Sequence, residues 1–183
     1  MTEAFKNTLD ELCGKNELVS VHTDSDDWDQ YSVGYVDMVT ETHLRLRAIS
    51  PFGDDVGYEI RPLCEISKVE QSGKYEAKIE KLRRNRGRIF TEVIPDSPSS
   101  GNLIIDSLKE SLKERVVIAL WERHSDESLT GYIEALEPDV VSIRLINQFG
   151  EDDGLATMKL DEISSIDFNT RQEQARMFLF DAE

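Results

Sequence analysis

The second half of this 183-residue chain repeats its first half at an offset of 97 residues, without a gap. Gly34-Tyr35-Val36-Asp37 aligns with Gly131-Tyr132-Ile133-Glu134. Ile49-Ser50-Pro51-Phe52-Gly53-Asp54-Asp55-Val56-Gly57 aligns with Ile146-Asn147-Gln148-Phe149-Gly150-Glu151-Asp152-Asp153-Gly154. Leu63-Cys64-Glu65-Ile66-Ser67 aligns with Leu160-Asp161-Glu162-Ile163-Ser164, and 12 of the 37 paired positions between residues 34 and 70 are identical. An ungapped match of this length means one fold used twice. The expected organisation is a first unit over residues 1–87, a linker over 88–104 and a second unit over 105–183. Each unit is large enough for a small core only, which gains from packing against its twin or from oligomerising.

Hydrophobic periodicity predicts the same series of elements in both units. In the first, Phe5, Leu9 and Leu12 make a helical stripe that Gly14 or Asn16 ends. Strands are predicted at 18–23, 31–39, 43–49, 57–63 and 65–70, with Leu44 and Leu46 inward and Arg45 and Arg47 outward. Gly34 inside the second strand signals a bend or a close backbone approach. The polar stretch from Asp24 to Gln30, broken only by Trp28, separates the first two strands. A closing helix carries Tyr75, Ile79 and Leu82. The second unit reads as a helix over 105–114 with Ile105, Leu108 and Leu112 on one face. Strands follow at 116–121, 129–136, 140–146, 155–160 and 163–168, then a helix with Ala175, Phe178 and Leu179. Pro95-Asp96-Ser97-Pro98-Ser99-Ser100-Gly101-Asn102 is linker in composition. Residues 88–94 have the composition of an extra strand with no assigned place. The fold class is therefore mainly β with flanking helices (α+β), arranged as two tandem five-stranded small barrels of SH3-like or Sm-like type. The glycine in each second strand supplies the sharp bend that closing so short a barrel requires.

Residues 131–143, Gly-Tyr-Ile-Glu-Ala-Leu-Glu-Pro-Asp-Val-Val-Ser-Ile, resemble the first Sm motif: glycine, any residue, an apolar residue, an acid after the strand bend, then an apolar strand. The version they most resemble is that of the bacterial Sm-like RNA chaperone, with Glu137 standing where that family usually has aspartate. Gly34-Tyr35-Val36-Asp37-Met38-Val39 with Leu44-Arg45-Leu46 fits the same motif, but Thr40 replaces the acid. Glu162-Ile163-Ser164-Ser165-Ile166 resembles the end of the second motif. The resemblance covers about 50 residues per repeat and implies an RNA-associated barrel working in rings of six or seven, joined strand four to strand five. The family's lysine–histidine pair is missing: the matching positions read Lys159-Leu160-Asp161 and Pro62-Leu63-Cys64.

A formal charge of −16 opposes bulk attraction to nucleic acid or to an anionic membrane. No apolar run approaches the roughly 20 residues of a membrane span. Cys13 and Cys64 have no counterparts in the other repeat and no metal-ligand spacing, so they read as reduced thiols of a cytoplasmic protein. Residues 1–6 lack a charged-then-apolar leader pattern.

No nucleophile elbow, phosphate-cradling glycine loop or metal-ligand spacing is present, and His22, His43 and His124 do not recur between repeats. A non-enzymatic binding protein without cofactor or metal is expected. Two groups of side chains are candidate contacts. From Lys74 to Arg88 there are seven basic residues against two acidic ones, and Arg83, Arg84, Arg86 and Arg88 have the fork geometry that grips phosphate. The same run also suits a solvated helix end that complements the helix dipole and pairs with acidic neighbours. The recurring turns offer Phe52, Asp54 and Asp55, and Phe149, Glu151 and Asp152, as contacts for a partner, although the two phenylalanines read first as core residues. Clustered carboxylates suit hard cations, but Gly and Asp also serve the geometry of a hairpin turn. Two functions remain open: an Sm-like protein that binds RNA, or a protein-binding adaptor that has kept the module and lost RNA. Self-association fits either.

Overall fold

The computed structural model describes residues 3–23, 31–91 and 101–182. The acidic stretch 24–30 and most of the Pro/Ser-rich linker lie outside the described residues. The chain divides into two compact units, Met1–Arg86 and Gly87–Glu183.

The first unit runs α1 (Glu3–Leu12), β1 (Leu18–His22), β2 (Tyr31–Val39), β3 (His43–Ile49), β4 (Asp55–Pro62), a 3-10 turn at Leu63–Glu65, β5 (Lys68–Gln71) and α2 (Lys74–Ile89). The second runs α3 (Leu103–Glu114), β6 (Ile118–Glu122), β7 (Ser128–Leu136), β8 (Val140–Ile146), β9 (Asp152–Lys159), a 3-10 turn at Leu160–Glu162, β10 (Ile163–Phe168) and α4 (Arg171–Asp181). The fold is thus α+β: two five-stranded antiparallel sheets and, among the described residues, four α-helices. The sheets share one order, β4-β3-β2-β1-β5 and β9-β8-β7-β6-β10. Among the described residues no ladder joins the two ends of either sheet, so hydrogen bonding does not close a barrel.

The first strand of each sheet is covered on both sides. Along β1, Val19 and Val21 point to one side and pack with Leu9 and Leu12 of α1 and with Val36, Leu44 and Leu46. Leu18 points to the other side and packs with Val33, Tyr35, Ile49 and Ile79 of α2. Burial on both sides explains why every residue of β1 is buried. The second unit repeats this, with Leu108 of α3 against Ile118 and Leu120, and Val117 grouped with Tyr132, Ile146 and residues of α4.

The bend in each second strand has a steric cause. A Cβ on Gly34 would lie 2.3 Å from the Arg47 carbonyl oxygen, and one on Gly131 would lie 1.8 Å from that of Arg144. Only glycine lets the two backbones come this close. A register shift follows three residues later in both units, at Asp37 and at Glu134. Such bulges bend a strand and increase its twist.

Several boundaries differ from expectation, β4, β6 and β9 by two or three residues at their starts. Arg88 and Ile89 continue α2 instead of starting a strand, and 92–94 lie outside the described residues. The helix expected from Ile105 starts at Leu103, because the Asn102 side chain accepts hydrogen bonds from Ile104 N–H and Ile105 N–H. Leu63 to Glu65 form a 3-10 turn, which delays β5 to Lys68. Leu112 is 40% exposed and does not join the Leu108 stripe.

Candidate functional site

The acidic turn of the first unit and the basic helix α2 are one structure. Ser50 N–H donates to the Asp54 carbonyl (2.8 Å) and Gly53 N–H to the Ser50 carbonyl (2.9 Å), which closes the turn after β3. Gly53 sits at φ +82° with its Cα against the α2 backbone, where a Cβ would lie 2.7 Å from the Arg83 Cα. Arg83 then reaches back, donating to both Asp55 carboxylate oxygens (3.0 and 3.1 Å) and to the Gly53 carbonyl (3.2 Å). This forked contact with Asp55 holds the Arg83 guanidinium above its ordinary pKa. Arg86 pairs with Asp54 at 2.7 Å. Arg84 pairs with Glu80 one helical turn earlier, at 3.0 Å. Arg88 is exposed near the helix end. Three of the four candidate phosphate contacts therefore hold carboxylates of their own unit. Two of the candidate partner contacts, Asp54 and Asp55, are what they hold.

The second unit keeps the turn and changes the chemistry. Asn147 N–H donates to the Glu151 carbonyl (3.0 Å), and Gly150 at φ +83° abuts Leu179 of α4. The Glu151 carboxylate accepts from Asn147 Nδ2 (2.8 Å). Asp152 accepts from Gly154 N–H (2.9 Å) and from Arg144 (3.0 Å), and these bonds lower its pKa. Phe52 and Phe149 are half-buried, so each is neither a full core residue nor a free contact. Position 83 becomes Phe180 in the second unit. Arg83 lies 5.7 Å from the Tyr35 ring centroid, and Phe180 meets the Tyr132 ring edge-on at the same separation. A buried tyrosine under the closing helix is thus retained while the helix residue over it changes from cation to aromatic ring, and Arg115 adds a cation 5.7 Å from the Tyr132 centroid.

Another recurring pair of side chains escaped the sequence reading. Glu76 and Glu173 occupy the third position of α2 and α4, 97 residues apart, and both are buried. Glu76 accepts from Gly73 N–H (3.0 Å) and from the Ser20 hydroxyl on β1. Glu173 accepts from Thr170 N–H (2.8 Å) in a capping box. Their alignment was visible in the repeat; their burial was not.

The most exposed apolar residues of the first unit lie on β4. Val56, Tyr58 and Ile60 are 61%, 63% and 64% exposed. Tyr58 pairs with Arg47 and Ile60 with Arg45 across the β3 ladder, which places both on the outer face. Arg45 lies 5.5 Å from the Tyr58 ring centroid, and Met38, beside Arg45, is also exposed. The equivalent positions on β9 are Asp153, Leu155 and Thr157. Among the described residues β4 is an edge strand, and an apolar face there is a candidate contact surface.

His22 is buried, with Nε2 2.7 Å from Glu70; Lys68 first and His22 second hold the Glu70 carboxyl below its ordinary value. His43 lies beside the Thr42 hydroxyl, and His124 occupies a left-handed turn. Among the described residues no group of three or more His, Cys, Asp or Glu is placed to hold a metal ion, and no helix is long and apolar enough to cross a membrane. No protein-family model, curated protein or solved structure matches the chain.

Proposed function

We propose that the chain is a non-enzymatic binding protein built from two Sm-like strand modules, and that its ligand is protein rather than RNA. The observation that carries this is the internal use of the basic helix: Arg83 and Arg86 are committed to Asp55 and Asp54, and Arg84 to Glu80. A phosphate entering there must displace carboxylates already in place and work against a charge of −16. Among the described residues the apolar face of Met38, Tyr58 and Ile60 has no such competitor, and it suits a protein surface.

The barrel part of the reading draws support from the strand order, which leaves β4 and β5 at the edges, and from the bend at Gly34. It also draws on the curl of the sheet: Ser32 of β2 reaches Glu59 of β4 at 2.5 Å, although β3 lies between them. The RNA reading keeps the support of the Sm-like motif in 131–143. Titration of the full chain with single-stranded RNA at several salt concentrations separates the two. The protein reading expects no binding that falls steeply with salt and disappears on neutralising Arg83, Arg84, Arg86 and Arg88. Such binding would establish the RNA reading instead.

A further inference from the structure

We infer that β4 of the first unit is a self-complementary edge at which two copies of the chain pair antiparallel. The ladder shows which backbone groups lack a partner among the described residues. Leu63 N–H donates to the Thr42 carbonyl, continuing the β3–β4 ladder by one residue. Backbone groups in an antiparallel ladder alternate sides. Arg61, Glu59 and Gly57 therefore face β3, and Tyr58, Ile60 and Pro62 turn their backbone groups outward. Pro62 stands where its missing N–H would have pointed away from the sheet, a position open to proline only on an edge.

The side chains select both occupant and register. Around a two-fold axis through Ile60, each Ile60 exchanges hydrogen bonds with its mate, and each Tyr58 N–H meets a Pro62 carbonyl. On the outer face Ile60 meets Ile60 and Tyr58 meets the Pro62 ring. On the inner face each Glu59 lies opposite the Arg61 of the other copy. In the single chain these two charges already pair with each other at 2.7 Å, so the second copy extends an existing ion pair. An axis through Glu59 sets like charges directly opposite, as does one through Arg61, and both are unfavourable. An axis through Tyr58 carries the ladder into the irregularity at Val56, where Asp55 pairs with Ile49 but Gly57 with Ala48. The second unit lacks this design: Ala156 and Met158 replace Glu59 and Arg61, and Asp153 sits where Val56 does. Pairing is thus confined to β4. An edge contact this short is small by the standard of stable interfaces, so association belongs in the micromolar range.

Sedimentation equilibrium of the full chain across the micromolar range tests this, and should show a monomer–dimer equilibrium. Arg61→Glu should weaken the dimer roughly tenfold, since two attractive cross-strand pairs become repulsive. Adding Glu59→Arg to it should restore the dimer. With Cys64→Ser removing the exposed native thiol, Ile60→Cys should form a disulfide-linked dimer on oxidation, because directly opposed residues lie within disulfide reach. Tyr58→Cys should not, because its copies would lie roughly 14 Å apart along the strands. The crosslinks also carry the test should Arg61→Glu fail to fold. A monomer at every concentration, crosslinking through Tyr58→Cys instead, or no rescue by a folded charge-swapped double variant each overturns the inference. The inference is independent of the partner reading: a monomer that still binds protein rather than RNA would defeat this pairing and leave that reading standing.

Discussion

Gly131→Ala should destabilise the second unit severely, and the size of the effect follows from one distance. The new Cβ would lie 1.8 Å from the Arg144 carbonyl oxygen, whereas real Cβ atoms essentially never come within 3.0 Å of a neighbour. Strands β7 and β8 must part locally by about 1.2 Å, the difference between those two distances. That separation breaks the adjacent ladder hydrogen bonds, at about 1 kcal/mol each, and two or three are within reach of the shift. Residual overpacking adds about 1–3 kcal/mol. The total of about 3–6 kcal/mol is a large fraction of the stability of on the order of 5–15 kcal/mol expected for a unit of this size. Gly34→Ala, with its contact at 2.3 Å, should cost less. Gly87→Ala is the control: nothing lies within 4 Å of its Cβ inside α2, and alanine there should stabilise by about 0.5–1 kcal/mol. Urea unfolding followed by Trp121 fluorescence, in a Trp28→Phe background that leaves one indole, reads the second unit directly. A Gly131→Ala midpoint matching the parent's would refute the steric account of the bend.

Burial, with the Glu80 hydrogen bond at 2.6 Å second, pushes the Tyr35 hydroxyl up to about 12 from 10.0, and burial with Asp181 pushes Tyr132 up to about 12 as well. The folded chain holds these protons after the unfolded chain has released them, so their contribution is intact below pH 10 and is lost between about pH 10 and 12. Tyr35→Phe should flatten the alkaline loss of stability in the first unit, and a tyrosinate absorbance titration should lose one late-ionising group; an unchanged profile contradicts this. Arg83→Gln removes the fork onto Asp55 and the Gly53 carbonyl, and should cost the first unit about 1–2 kcal/mol. The second unit should be unaffected, as two resolved urea transitions would show. Gln174 accepts from Thr91 N–H (3.0 Å) and donates to the Thr91 carbonyl (2.9 Å). Gln174→Leu should therefore abolish hydrogen-exchange protection at the Thr91 amide while leaving β6–β8 amides protected.

The duplication, the strand count and the inward positions of Leu44 and Leu46 were legible in the sequence, because periodicity and self-alignment are local and repeat-borne signals. Gly34 and Gly131 also announced a close approach, since no other residue type admits one. What the chain alone left open was every relation between distant segments. Asp54 and Asp55 look like a binding turn and Arg83 to Arg88 like a phosphate patch until folding sets Gly53 against α2, after which the carboxylates neutralise two of the arginines and the run is no longer a free cationic surface. The exposure of Tyr58 and Ile60 was equally hidden. In sequence β4 alternates as any half-buried strand does, and only the tertiary structure leaves it, among the described residues, at the end of the sheet order with an exposed outer face. Pattern specifies which residues share a side of a strand; tertiary packing specifies whether anything lies against that side.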